Sequence, residues 1–149
     1  MFRHSSHWCL AAVALLGAAI ACKKKSPPPA PPAEAQAAVP LSVTAVALGK
    51  QVGADKMVSQ PLQTFAPRDT IYASVSTVGA APDAMLVASW TYQTGQQVKV
   101  DTLRIAPTGP ATTEFHISKP SAWPVGKYHV AITLNGAPAG AGDFEVKRT

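Results

Sequence analysis

Beyond residue 22 the chain has no cysteine, and all 149 residues contain only two, Cys9 and Cys22. No disulfide can brace the region after them, so any fold there rests on its hydrophobic core. No apolar run reaches the roughly 20 residues that a membrane-spanning helix needs. Acidic residues are scarce too, eight against thirteen Lys and Arg, and those after residue 40 sit mostly at strand ends or outward positions, which disfavours a glycosidase-type carboxylate pair. Neither G-x-x-x-x-G-K-[ST] nor G-x-G-x-x-G occurs, so phosphate cradles of those kinds are excluded. No serine lies in a G-x-S-x-G elbow. Helical periodicity is missing after residue 40.

What the chain does have is one apolar stretch, Trp8 to Ala21, behind a short n-region with Arg3, His4 and His7. Its length suits a secretory h-region rather than a spanning helix. Ala19-Ile20-Ala21-Cys22 closes it. That segment resembles the lipobox of bacterial lipoproteins, although the family favours Leu where Ala19 stands. The resemblance implies a helical signal peptide, residues 1–21, that is removed, and a diacylglyceryl thioether on Cys22 with further acylation of the new amino terminus. Two or three acyl chains give stable membrane binding where one gives only marginal binding. Lys23, Lys24 and Lys25 follow, placed to meet anionic headgroups. By the same resemblance, a residue other than Asp after the lipidated cysteine directs the protein to the outer membrane, with the domain in the periplasm or at the cell surface. Two other readings of these residues stay open: an ordinary signal peptide cut after Ala19-Ile20-Ala21, or an uncleaved anchor.

Residues 22–40 form a lipidated-cysteine and linker segment. Its part Ser26 to Val39-Pro40 is rich in Pro and Ala and has too little bulk to bury. Such a sequence stays disordered and favours polyproline II at about 3.1 Å per residue, a stalk of up to about 45 Å. The chain's formal charge of +5 owes much to the three juxtamembrane lysines. The basicity is therefore not the clustered footprint of a nucleic-acid-binding face.

Residues 41–149 read as one domain of short alternating runs separated by Gly, Pro, Asn and Asp signals. Strands are expected at Leu41–Leu48, Thr70–Val78, Ala84–Tyr92, Val98–Ile105, Thr112–Ser118, Lys127–Leu134 and Asp143–Lys147. Lys56–Gln63, interrupted by Pro61, is a candidate eighth. Trp90 lies mid-strand, and Gly126-Lys127-Tyr128-His129-Val130 is similar to the G-x-Y-x-C tyrosine corner. The pattern resembles a seven-stranded, all-β, antiparallel immunoglobulin-like sandwich. The resemblance puts Val130, with Val75 fifteen residues before Trp90, where antibody domains carry a disulfide.

Chemistry is harder to find. Glu114 and His116 share a strand face and His129 lies on another strand, short of the convergent ligands of a zinc site. No metal, cofactor or catalytic residue is assigned, and an enzyme is not expected. Alternation of the strands gathers residues 49–69, 93–96 and 119–126 at the end opposite the stalk. Phe65, Arg68, Lys119 and Trp123 there are the candidate partner-binding residues, for an anionic envelope polymer or another protein. The alternative is that Phe65 and Trp123 plug the core, and burial of Trp123 distinguishes the two. The expected function is a non-catalytic binding or scaffold domain displayed from the envelope membrane. A second reading is an inhibitor or regulator of a periplasmic enzyme, acting through a projecting 49–69 segment.

Overall fold

The structure, a computed structural model, describes residues 39–148. The signal-like segment, Cys22, Lys23, Lys24, Lys25 and most of the proline-rich linker lie outside the described residues. Eight strands follow in order: β1 (Ser42–Gly49), β2 (Thr64–Phe65), β3 (Ile71–Val78), β4 (Ala84–Tyr92), β5 (Gln97–Ile105), β6 (Ala111–Ile117), β7 (Gly126–Leu134) and β8 (Ala137–Val146). They form a three-stranded sheet, β1-β3-β6, and a five-stranded sheet, β2-β8-β7-β4-β5. No described residue is helical.

The alternation visible in the sequence becomes the inner faces of these sheets. Ile71, Ala73 and Val75 on β3 are fully buried, as are Leu86, Ala88 and Trp90 on β4 and Val130 and Ile132 on β7. Side chains two apart share a face of a strand, so each run delivers its apolar set to one core. Aromatic rings continue that core toward one end. Phe144 stacks on Tyr128 at 5.1 Å, meets Trp90 edge-on at 6.1 Å and meets Phe65 edge-on at 5.4 Å. Val75 and Val130 are both buried, on strands of the two different sheets. The Tyr128 hydroxyl donates to the Pro124 carbonyl at 2.8 Å, the hydrogen bond that defines a tyrosine corner. The architecture is an immunoglobulin-like sandwich.

Two details differ from the sequence expectation. The eighth strand is Thr64–Phe65 rather than Lys56–Gln63, and it runs parallel to β8, so the sandwich is not wholly antiparallel. The chain crosses between sheets here: Leu62 N–H donates to Leu48 C=O at 2.7 Å, then Glu145 N–H to Gln63 C=O at 2.8 Å. Pro61, which lacks an N–H, falls at the crossover rather than within a ladder. The last strand is also longer than expected, beginning at Ala137 instead of Asp143. Its first half, Ala-Pro-Ala-Gly-Ala-Gly, carries no β-branched or aromatic signal. Small residues are needed because β1 lies close above them: a Cβ on Gly140 would meet Val46 at 2.8 Å, and one on Gly142 would meet Leu48 at 3.0 Å.

Candidate functional site

The strand register sorts the loops into two ends. Ser42 pairs with Val78, Ala84 with Ile105, and Leu134 with Ala137 at the end where the chain enters. Gly49 pairs with Tyr72, Ile71 with Ile117, and Gly126 with Val146 at the other. The basic loops therefore lie opposite the entry of the chain at Val39-Pro40, as the sequence anticipates.

The expected aromatic contact surface is not there. Phe65 is 1% exposed and Trp123 is 7% exposed. Both belong to the core, so this part of the expectation is corrected. The physical reason lies in what Trp123 joins. Its backbone N–H donates to Pro67 C=O at 2.6 Å and its indole N–H to Asp69 C=O at 3.1 Å. Its ring meets Tyr128 edge-on at 6.2 Å. Trp123 thus fastens the loop after β6 to the turn before β3 and roofs the aromatic core. Its large apolar area is worth more buried than displayed.

Of the four candidate residues, Arg68 and Lys119 are exposed. The two hydrogen bonds of Trp123 bring their loops together. Asp69 shapes the Arg68 turn: its carboxylate accepts from Ala66 N–H at 2.7 Å and pairs with Lys50 at 2.6 Å. Among the described residues Arg68 and Lys119 enter no ion pair. Lys119 Nζ lies 5.9 Å from the centroid of the Trp123 ring, within cation–π reach. Beside it a cleft of about 370 Å³ opens between β5 and the loop after β6, lined by the polar Gln96, Gln97, Lys99, Ser118 and Lys119 and by the apolar or aromatic Tyr92, Val98, Ile117, Trp123, Pro124 and Tyr128. Lys99 is already engaged, with Asp101 at 2.9 Å and the His116 carbonyl at 3.1 Å. That leaves Lys119 as the cation of a cleft whose walls are part polar, part aromatic and aliphatic. Such a lining suits a small amphipathic group with an anionic part and supplies no nucleophile paired with a base.

The other titratable groups do not converge on it. Burial, and next to it the neighbouring Tyr92, pushes the Tyr128 phenol up to about 12, so it remains neutral at ordinary pH. His116 pairs with Glu114 at 3.3 Å on β6, and His129 on β7 pairs with Asp143 on β8 at 2.7 Å, in the other sheet. Among the described residues no three His, Cys, Asp or Glu side chains are grouped to hold a metal ion.

The 49–69 segment, expected to project if the protein were an inhibitor, is instead folded onto the domain. Val52 bridges Val58, and the buried Ser74 hydroxyl donates to the Lys56 carbonyl at 2.6 Å, tying the tip to the outer face of β3. Gly49 permits this approach: a Cβ there would lie 2.5 Å from Val58 Cγ1 and 2.7 Å from the Gln60 carbonyl. Neither the Asp69 turn nor the Lys119 cleft has a sequence motif. Their only sequence signal is the count of basic residues in loops that alternation assigns to one end.

No family model matches the chain, and no curated protein does. Solved structures do. An alkylpurine DNA glycosylase of Pseudomonas fluorescens bound to abasic-site DNA is similar over 73% of this chain, at 17% identity and a TM-score of 0.48. The match spans only 30% of that enzyme. An immunoglobulin-like protein from Pseudomonas aeruginosa matches over 74% of this chain and 99% of its own, at 10% identity and a TM-score of 0.46. The C-terminal domain of wzt matches over 73% of this chain and 74% of its own, at 10% identity and the same TM-score of 0.46. Fold likeness at this distance does not carry function.

Proposed function

We propose that this chain is a lipid-anchored protein of the bacterial envelope whose immunoglobulin-like domain binds, without catalysis, a partner bearing anionic groups. The observation that carries the reading is the polarity of the domain. The chain enters at Pro40, and the Arg68 and Lys119 loops lie at the opposite end of the strands. A domain tethered at one end and basic at the other is built to present that basic end. Support for the tether comes from Cys22, which closes the Trp8–Ala21 run and precedes Lys23, Lys24 and Lys25. Acyl chains on Cys22 and the three lysines would together hold the protein at an anionic lipid surface, with the outer membrane as its site.

The test has two arms. Cells producing the chain are fed labelled palmitate, and the expected result is label in the membrane-bound protein that disappears with Cys22→Ala. An unlabelled, freely soluble protein would overturn the anchor. Envelopes are then cross-linked, and Arg68→Glu with Lys119→Glu is expected to reduce capture of the partner about tenfold or more, since rim charges govern encounter. Unchanged capture would move the binding surface elsewhere.

A further inference from the structure

β5 closes one side of the five-stranded sheet, and its outer edge has no strand beside it among the described residues. The hydrogen-bonding parity of that edge follows from two contacts. Tyr92 N–H donates to Gln96 C=O on the β5 side, whereas Met85 C=O accepts from Asn135 N–H on the β7 side. Along β4, even-numbered residues thus bond to β5 and odd-numbered ones to β7. Lys99 and Asp101, opposite Trp90 and Ala88, use their backbone groups on β4. Val100 and Thr102 turn theirs to the open edge. Val100 is also an exposed apolar side chain, at 43%.

The geometry points to a homodimer formed by antiparallel pairing of β5 with β5 of a second copy, on a two-fold axis through Val100. The charges select that register. Centred on Val100, Lys99 of each copy faces Asp101 of the other, twice, in non-hydrogen-bonded pairs where side chains approach most closely. Centred one residue earlier, Lys99 would face Lys99. Centred one residue later, Asp101 would face Asp101. Centred on Thr102, Asp101 would face Leu103. Charges on an edge strand commonly discourage pairing, but this arrangement discourages every neighbouring register and favours one. Lys99 already bonds Asp101 within the chain at 2.9 Å, so the dimer would form a ring of four alternating charges. The pairing also explains why the longest open edge lacks the cap that β6 has, whose His116 carbonyl accepts from Lys99 at 3.1 Å. Because the paired strands run in opposite directions, the basic loops of one copy come beside the Pro40 end of the other, so in the pair one basic end points away from the membrane and the other lies beside a tether.

The test is disulfide trapping in cells making the full chain. Val100→Cys is expected to form a cross-linked dimer, since opposed residues of a hydrogen-bonded pair have Cα atoms about 5.5 Å apart, within disulfide range. Thr102→Cys should not, because its two copies would be about 14 Å apart. Adding Lys99→Asp or Asp101→Lys to Val100→Cys should lower the cross-linked fraction about tenfold, and the two changes together should restore it. Wild-type protein controls for cross-linking through Cys9 or Cys22. Equal cross-linking at 100 and 102, or no recovery in the double exchange while the protein stays folded by circular dichroism, would overturn the dimer. Failure here leaves the lipid anchor untouched, which the palmitate label reads separately.

Discussion

The two ends of this sandwich are closed by different means. Where the chain enters, backbone geometry does the closing. Asn135 and Gly136 both adopt positive φ, 52° and 83°, as a two-residue hairpin turn requires. The Asn135 side-chain oxygen accepts from Met85 N–H at 2.8 Å. Gly79, at φ +96°, has no room for a Cβ, which would collide with the Pro40 carbonyl oxygen. The large side chains at this end, Ile105 and Leu134, are only partly buried against the core. At the other end, side-chain burial does the closing: Trp123, Tyr128, Phe144 and Phe65 form a continuous set of ring contacts. Loops at that end are long and need something to hold them down. The difference teaches that aromatic residues in loops are not by themselves a binding surface, because a tryptophan there is just as useful as a roof.

The sharpest way to break this comparison is Trp123→Ala. Removing a buried tryptophan costs roughly 3–5 kcal/mol, and here it also deletes the indole hydrogen bond to the Asp69 carbonyl. A fall in thermal midpoint of roughly 15–25 °C is expected for a domain of this size, read by near-ultraviolet circular dichroism. A loss of less than about 1 kcal/mol would mean that the long loops are held by something other than Trp123.

The same contrast explains what could be read in the sequence. Central strands were legible because Ile71-Ala73-Val75 and Tyr128-Val130-Ile132 alternate against outward residues, and a period of two has one structural meaning. Trp90 and Gly126-Lys127-Tyr128 were legible because the fold places a tryptophan and a tyrosine corner at those points. The first half of β8 was not, since its requirement is imposed from outside, by Val46 and Leu48 pressing on Gly140 and Gly142. Thr64–Phe65 escaped for a similar reason: two residues pair only because the chain must cross to the second sheet. In the candidate site, the basic character of Arg68 and Lys119 was visible. The role of Trp123 was not, because Trp-Pro in a loop looks the same whether the ring faces out or in.

Tyr128 tests the aromatic end more gently. Tyr128→Phe keeps the ring stack on Phe144 and deletes only the hydroxyl bond to Pro124, a loss of about 1 kcal/mol. It also removes a pH dependence. The Tyr128 phenol is raised from 10.0 to about 12 in the folded protein, first by burial and then by Tyr92. Between those values the folded state keeps a proton that the unfolded state releases, so stability falls as pH rises. The contribution is complete below pH 10 and lost by about pH 12. Chemical denaturation of wild type and Tyr128→Phe across that window should show the two curves converging as pH increases. Parallel curves would place the Tyr128 hydroxyl in contact with water.

The smallest effect belongs to the end where the chain enters, and it separates two ion pairs that look alike on paper. Asp83 and Arg104 meet at 3.5 Å with side chains 65% and 77% exposed. A pair so wet gains little over its interactions with water, and Asp83→Asn should change stability by no more than about 0.5 kcal/mol. Asp69, at the aromatic end, pairs with Lys50 at 2.6 Å while its carboxylate also accepts from Ala66 N–H. The two sites differ in whether the carboxylate shapes the backbone beside it, so urea titrations of Asp83→Asn measure how far charge alone matters in this domain. A loss above about 1 kcal/mol would show that the short Ala, Gly and Pro loops depend on that surface pair, and the contrast between the two ends would then be one of degree.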